Sequence, residues 1–248
     1  DDYPPAVDTL PHFSALPVDF EKIATLRPDL ALATDQVDSP KDAETLTALG
    51  IPVYFFSFKT LQSVLDAIRT TGDLLKTQAR ANAAADSLQA QIDTLRARTA
   101  RAPRPRVLML IGDEELYAFG NESYTHELIR LAGGNSITDS IGTANPVLSE
   151  EFVLAARPDV IVGTWGQNYD AHRLVEHHPA LASVPAIRSG RIYSLDPSLI
   201  TRPGPRLIEG ARRLAALLHP ELFPEDRAGA YERRSGGKEE RTRGGKKE

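Results

Sequence analysis

The chain has 248 residues, 41% of them hydrophobic, and a formal net charge of −5 at pH 7. This length and apolar content suffice for one large domain or for two lobes with cores of their own. The acidic balance argues against a general nucleic-acid binder, because phosphate contacts require a basic face, and the lack of cysteine excludes disulfides, thiolate metal sites and cysteine nucleophiles.

Short apolar runs alternate with helix-length segments along the chain. Strands separated by helices are typical of parallel βαβ units, and continuously apolar runs indicate strands that are buried on both faces. The strand candidates are Leu30–Thr34, Pro52–Phe56, Arg106–Ile111, Asp159–Thr164 and Arg191–Leu195. Between the first two, Ser39 and Pro40 open a helix that stops at Gly50. The pattern predicts an α/β fold with parallel, Rossmann-like sheets.

The segment Thr71–Ala100 is rich in Ala, Leu, Gln and Arg and contains no proline. It predicts one long helix, which Pro103 and Pro105 terminate. A helix over Gly72–Thr99 would be about 40 Å long, more than one compact lobe needs. It is interpreted either as a strut between two lobes or as a long surface helix within one domain.

An internal repeat favours the strut. Residues 19–34 match residues 149–164 without a gap, at an offset of 130 positions. Each copy predicts a helix capped by Asp19 or Ser149, a turn at a proline, and a strand. The identical positions are Glu21 and Glu151, the Arg-Pro-Asp triplets 27–29 and 157–159, and Thr34 and Thr164.

Two copies on either side of one helix predict two similar lobes. The predicted organisation is a first lobe over 1–71, a linking helix over 72–101, a second lobe over 102–226 and a disordered tail over 227–248. The tail is dominated by Gly, Lys, Arg and Glu and cannot form a core.

Sequence signals for catalysis are weak. There is no phosphate loop, dinucleotide fingerprint or His-Glu-x-x-His motif. His177 and His178 are adjacent and therefore point to different sides, a poor geometry for a shared metal. The acidic run 113–115 follows a strand and is either a paired-carboxylate site or, as we favour, a solvated loop. We expect no enzyme activity, no cofactor and no resident metal.

The distinctive side chains near the predicted strand ends are aromatic, and open parallel sheets bind ligands at these ends. They could grip a flat, apolar ligand or simply pack. The aromatic candidates are Phe13, Tyr117, Phe119, Trp165 and Tyr169. Arg202 follows the last strand and is the polar candidate, since a guanidinium can fix an amide, carboxylate or phosphate. Asn145 completes the set of predicted ligand-binding residues.

Several short segments, in this order, resemble the helical-backbone class of ABC-importer substrate-binding proteins, which contains vitamin B12, siderophore and haem receptors. The opening Asp-Tyr-Pro-Pro and the last two segments are most similar to the cobalamin-binding branch. Besides the two repeats, the segments are Asp2–Pro5, Gly50–Val53, Leu131–Asn135, Pro185–Tyr193 and Arg202–Arg206.

The resemblance implies a monomer that captures a corrinoid between two lobes outside the cytoplasm, either periplasmic or lipid-anchored. No run approaches the roughly 20 apolar residues of a membrane span, and no leader precedes Asp1, so we expect any export signal to be removed. In this family one glutamate per lobe docks onto permease arginines, and the matching residues are Glu21 and Glu151. Symmetric carboxylates suit a two-fold permease.

The chain also departs from the family pattern. Family members carry a further strand, helix and loop ahead of Asp2–Pro5, and the cobalamin receptor has a tryptophan shortly before its first docking glutamate, where this chain has 11–17, Pro-His-Phe-Ser-Ala-Leu-Pro. The first lobe is therefore expected to lack its first βα unit. Alternative hypotheses are a haem or ferric-siderophore receptor, a metal-ion receptor, a chelatase-like enzyme acting on a tetrapyrrole, and a remnant that no longer binds ligand.

Overall fold

Two parallel β-sheets, one before and one after a hairpin of two long helices, organise the computed structural model. The structure describes residues 4–13, 16–35, 38–166, 169–170 and 172–226, so the predicted disordered tail lies outside the described residues. The helices are α1 (Phe20–Leu26), α2 (Pro40–Ala48), α3 (Leu61–Leu74), α4 (Gln78–Thr99), α5 (Tyr124–Leu131), α6 (Glu150–Ala156), α7 (His172–His177), α8 (Pro185–Arg188), α9 (Pro197–Ile200) and α10 (Leu207–Leu218). The strands are β1 (Ala31–Thr34), β2 (Val53–Phe56), β3 (Arg106–Leu110), β4 (Leu116–Tyr117), β5 (Asn135–Ser136), β6 (Val147–Leu148), β7 (Val160–Gly163) and β8 (Ile192–Ser194).

The two sheets differ in width. The first pairs β1 with β2, and the second has the order β5-β3-β7-β8, with every pair parallel. All five predicted strands are present with bounds within one residue of the prediction. In β3 and β7, residues such as Leu108 and Ile161 are fully buried, as continuously apolar runs require. The predicted class, two parallel-sheet α/β lobes joined by a long helix, is confirmed.

The prediction of a single helix over Thr71–Ala100 is wrong at its start. The helix α3 ends at Leu74, Lys76 adopts a left-handed φ of 58°, and α4 then runs from Gln78 to Thr99, about 33 Å. Helix propensity across the turn is overruled by packing, because α3 folds back against α4. At the bend a Cβ on Gly72 would collide with the side chain of Ala81, so glycine permits the close approach of the two helices.

The helix α3 ties the two sheets together. Its residues Val64 and Leu65 share one core with Leu88 on α4 and Leu128 on α5. The Glu127 carboxylate of α5 accepts a hydrogen bond from the Leu61 backbone N–H at 2.6 Å and so caps the start of α3. The two lobes are therefore connected by a continuous hydrophobic core as well as by the polypeptide chain. The residue ranges given for the domains stay predictions.

The internal repeat is reproduced in three dimensions. Asp19 caps α1 and Ser149 caps α6, and each side chain accepts a hydrogen bond from the backbone N–H three residues later. Both helices have seven residues and end at an arginine with a φ of 49°, Arg27 and Arg157. Each arginine precedes a proline, and the chain then enters β1 or β7. The repeat therefore encodes one helix–turn–strand unit used twice.

Candidate functional site

Glu21 and Glu151 occupy equivalent positions in the first turns of α1 and α6, and both are exposed. A carboxylate is favoured there by the partial positive charge of the helix N-terminus. The backbone N–H of Glu151 and the Ser149 hydroxyl hold the pKa of Glu151 below its usual range. The arrangement presents one carboxylate on each lobe, as the sequence predicts for docking.

The predicted ligand residues of the second lobe follow the carboxyl ends of its strands. Tyr117 follows β3, Trp165 follows β7, and Arg202 follows β8 and α9. The backbone N–H of Thr164 donates to the Leu110 carbonyl at 3.0 Å, which brings the ends of β3 and β7 side by side. Open parallel sheets place ligands at such an edge.

Trp165 folds back over its own strand. A Cβ on Gly163 would overlap the indole ring, so only glycine permits this position. The ring centroids of Trp165 and Tyr169 lie 3.9 Å apart, and the indole also packs against the apolar core of the lobe. The Trp165 indole N–H is buried without a hydrogen-bond partner among the described residues. Trp165 is therefore partly a packing residue, with one polar atom unsatisfied.

Tyr117 lies on a small antiparallel ribbon formed by β4 and β6, where it pairs with Val147. The next N–H, that of Ala118, donates to the Pro146 carbonyl at 2.9 Å, which holds the ribbon close to Asn145. Tyr117 and Asn145 are both exposed. The structure thus brings these two predicted ligand residues together through a pairing that the sequence analysis missed.

Phe13 and Arg202 are exposed residues on different parts of the chain. Phe13, 47% exposed, lies in the segment before α1, and Arg202 lies in the turn between α9 and α10. The predicted ligand roles of all five residues stay predictions.

Phe119 and Tyr169 belong to the structure of the lobe more than to an open surface. Phe119 is 5% exposed and lies in the hydrophobic core shared with α3, α4 and α5, which agrees with the packing alternative for this aromatic residue. The Tyr169 hydroxyl donates to the Asp113 carboxylate at 3.0 Å. Burial, reinforced by this carboxylate, raises the pKa of Tyr169 and keeps the phenol protonated.

The acidic run and the paired histidines form one cluster. The Asp113 side chain is only 14% exposed and lies 3.6 Å from Arg173, whereas Glu114 and Glu115 are exposed, as a solvated loop predicts. His177 and His178 both hydrogen-bond to the Asp113 carbonyl. The Glu150 carboxylate also belongs to this cluster, since it lies 2.8 Å from His178 Nδ1. The cluster fastens loops to α6, with the His178 side chain 11% exposed.

No group of three or more His, Asp or Glu residues suited to a metal ion occurs in the part of the chain that the structure describes. Within the same residues, no helix has both the length and the apolar character needed to cross a bilayer.

Comparisons with known proteins agree with the fold. A model of the family described as periplasmic binding protein matches residues 14–199. An uncharacterized ABC transporter substrate-binding lipoprotein of Bacillus subtilis is 27% identical over 91% of this chain and 73% of its own length. A vitamin B12-binding protein of Yersinia pestis is 28% identical over 86% of this chain and 74% of its own length.

A solved structure adds a further relative. The crystal structure of a periplasmic heme-binding protein from Pseudomonas aeruginosa has a TM-score of 0.73 and 27% identity, covering 88% of this chain and 82% of that one. The sequence and the fold therefore resemble the same kind of protein, while the names of the relatives divide between vitamin B12 and heme.

Proposed function

Because the chain belongs to the periplasmic binding protein family, whose model matches residues 14–199, we propose that it is the extracytoplasmic substrate-binding protein of an ABC importer. The observation that carries this proposal is the duplicated helix with one exposed glutamate per copy, Glu21 and Glu151. A pair of equivalent carboxylates on two lobes suits a two-fold permease. The protein acts in the periplasm or anchored by lipid on the outer side of the membrane.

The proposed cargo is a corrinoid such as cobalamin, held between the lobes by aromatic faces and Arg202. The support for it is the relative named as a vitamin B12-binding protein, 28% identical over 86% of this chain. The second candidate is haem, favoured by the heme-binding structure at 27% identity. The two candidates share a flat macrocycle with an apolar face, and a mostly apolar pocket with a few polar groups suits both.

Ligand capture requires little movement between the lobes. The core shared by α3, α4 and α5 and the cap that Glu127 places on α3 resist hinge opening. We therefore expect the free and ligand-bound proteins to have nearly the same radius of gyration in small-angle X-ray scattering.

Isothermal titration with cyanocobalamin, haem and a ferric siderophore tests the cargo. We expect saturable binding of cyanocobalamin with 1:1 stoichiometry. Binding of haem alone would replace the corrinoid with the second candidate. Absence of binding to all three would refute the proposed ligand class, although the docking surfaces would be testable separately.

A further inference from the structure

His178 lies between α6 and the loop that follows β3. Its Nδ1 is 2.8 Å from the Glu150 carboxylate in the first turn of α6, and its Nε2 is 3.1 Å from the Asp113 carbonyl in the loop. The side chain of His178 is 11% exposed and that of Glu150 is 33% exposed. One largely buried imidazole ring therefore connects the start of the helix to the loop.

Both partners of this ring are hydrogen-bond acceptors. A carboxylate and a backbone carbonyl only accept, whereas a neutral imidazole has one N–H and one acceptor nitrogen. In either neutral tautomer, one ring nitrogen of His178 would place its lone pair against an oxygen of Glu150 or Asp113. The imidazolium has an N–H on each nitrogen, donates to both oxygens, and is attracted by the opposite charge of Glu150. The contacts of His178 therefore favour the protonated ring.

The other ionisable groups around His178 leave this assignment in place. The Asp113 carboxylate accepts from the Tyr169 hydroxyl at 3.0 Å and lies 3.6 Å from Arg173, which is 51% exposed. The His177 ring is edge-on to that of His178, with centroids 6.5 Å apart, and its Nδ1 lies 3.2 Å from the same Asp113 carbonyl. The 3-10 helix that begins at the next residue contains no titratable side chain. The two histidines thus lie between the carboxylate of α6 and the carboxylate of the loop.

In the first copy of the repeat an apolar residue takes the place of this carboxylate. At the offset of 130 positions Glu150 corresponds to Phe20, which packs against the core of the first lobe beside Ile23. Consecutive residues of a helix point about 100° apart, so Glu150 contacts His178 while the next residue, Glu151, stays exposed. The first turn of α1 is therefore held by apolar packing, and the first turn of α6 is held by an ionisable pair.

We propose that His178, as an imidazolium, is a positioning residue that holds the first turn of α6, and with it Glu151, in a pH-dependent way. The docking role of Glu151 rests on the proposed function, whereas the protonation of His178 and its effect on α6 do not. Histidine is the side chain that ordinarily changes its charge between about pH 5 and 8. Loss of the proton from His178 removes one of its two hydrogen bonds and the attraction to Glu150. This contribution is present at the lower pH and is lost as the pH rises, so α6 responds to alkaline pH and α1 does not.

Hydrogen exchange of the backbone amides in the full chain tests the positioning. Protection is measured at about pH 6 and about pH 8.5, on either side of the ordinary histidine midpoint, and is corrected for the pH dependence of intrinsic exchange. We expect the protection of α6 to fall about tenfold at the higher pH, the scale of one hydrogen bond to a charged group. The protection of α1 should change less than about twofold, because Phe20 carries no charge.

Three variants separate the ion pair from other effects of pH. His178→Gln has no charge and one side-chain nitrogen, and Glu150→Gln keeps an acceptor oxygen without the charge, so both should remove most of the pH dependence of α6. His172→Gln is the matched control, since it replaces an exposed histidine of α7 and should keep the full pH dependence. Protection of α4 in the same experiment shows whether each variant is folded.

Nitrogen-15 NMR of the imidazole rings observes the protonation directly and needs only the parent protein. We expect both ring nitrogens of His178 to stay protonated to a higher pH than those of the exposed His172. A His178 ring that loses its proton at the same pH as His172 or earlier overturns the inference. So does an α6 whose protection falls equally with pH in the parent protein and in folded His178→Gln. The proposed function fails separately, if charge reversal at Glu151 leaves substrate uptake intact.

Discussion

The two copies of the repeat share their local geometry and differ in everything around it. Helices α1 and α6 have the same length, the same type of cap and the same left-handed final arginine. Yet β7 lies between β3 and β8 and is completely buried, whereas β1 pairs with β2 alone and leaves Leu32 47% exposed. Two helix–turn–strand units with the same local geometry thus lie in different surroundings, β7 in a deeply buried sheet and β1 in a partly exposed one.

The difference separates two requirements on the same segment. The position of Glu21 or Glu151 depends on a cap and one turn of helix, which sixteen matched residues provide in both lobes. The stability of the strand depends on its neighbours, which only the wider sheet supplies. Docking geometry should therefore be equivalent in the two lobes, and the energetic effect of substitutions near the strands should not be.

Charge reversal of both glutamates should have the largest effect. Glu21→Lys combined with Glu151→Lys replaces two exposed carboxylates with ammonium groups, and at the proposed permease interface like charges would cost several kcal/mol. We expect substrate uptake in a transport assay with the cognate permease to be lost, with ligand affinity unchanged by titration.

The control for charge reversal is Glu44→Lys combined with Glu221→Lys. Both glutamates are exposed, one in each lobe, and the change in net charge is the same. Uptake should persist in this control. A loss of ligand affinity in the Glu21/Glu151 variant would show that these residues do not serve docking, and each single reversal should impair uptake to a similar extent if the lobes are equivalent.

Asp159→Asn should expose the unequal stability of the two copies. The Asp159 carboxylate accepts hydrogen bonds from the Arg106 backbone N–H at 2.9 Å and from its guanidinium at 2.9 and 3.1 Å, which ties β7 to β3. Because the pair is partly exposed to solvent, we expect a loss of only about 1–2 kcal/mol in urea unfolding. The repeat counterpart Asp29→Asn should cost less than about 0.5 kcal/mol, since Asp29 is exposed.

The loss of stability in Asp159→Asn should depend on pH. Hydrogen bonds from the Arg106 guanidinium and backbone N–H hold the pKa of Asp159 below the ordinary value of an aspartate. A carboxylate with a depressed pKa in the folded state stabilises the protein above its unfolded pKa and loses this contribution as the pH falls through the folded value. The stability difference between the parent and Asp159→Asn should be constant above about pH 5 and should shrink below about pH 4. A difference that grows on acidification would contradict the role of Arg106.

The sequence predicts the parts of the fold that depend on local pattern. Apolar runs located every major strand, and the Arg-Pro-Asp repeat located both α1 and α6, because strand burial and helix capping leave direct marks on residue type. The break between α3 and α4 has almost no signature in the sequence. Leu74, Leu75 and Lys76 all favour helix, and the turn is decided by the packing of α3 onto α4.

The candidate site was predicted less completely, for the same reason. Phe119 has the residue type of a ligand contact but lies in the core, and Val147 has the residue type of a core residue but lies on the surface. The two-residue strand β6 is too short to show an alternating pattern. Its exposure follows from its pairing with β4 across 30 residues of chain, and pairing of this kind is invisible to local periodicity.

Removal of the two caps should have the smallest effect and should test whether the copies are locally equivalent. The Lys22 N–H donates to Asp19 at 3.0 Å and the Phe152 N–H donates to the Ser149 hydroxyl at 3.2 Å. Asp19→Ala and Ser149→Ala should each cost about 1 kcal/mol in urea unfolding followed by circular dichroism. Ser149→Asp keeps a capping oxygen, so its free energy of unfolding should be closer to that of the parent protein than to that of Ser149→Ala. Because each cap acts on its own helix, costs that differ by much more than about 1 kcal/mol between the lobes would show that the surrounding core, and not the repeated segment, governs the stability of the helices that carry Glu21 and Glu151.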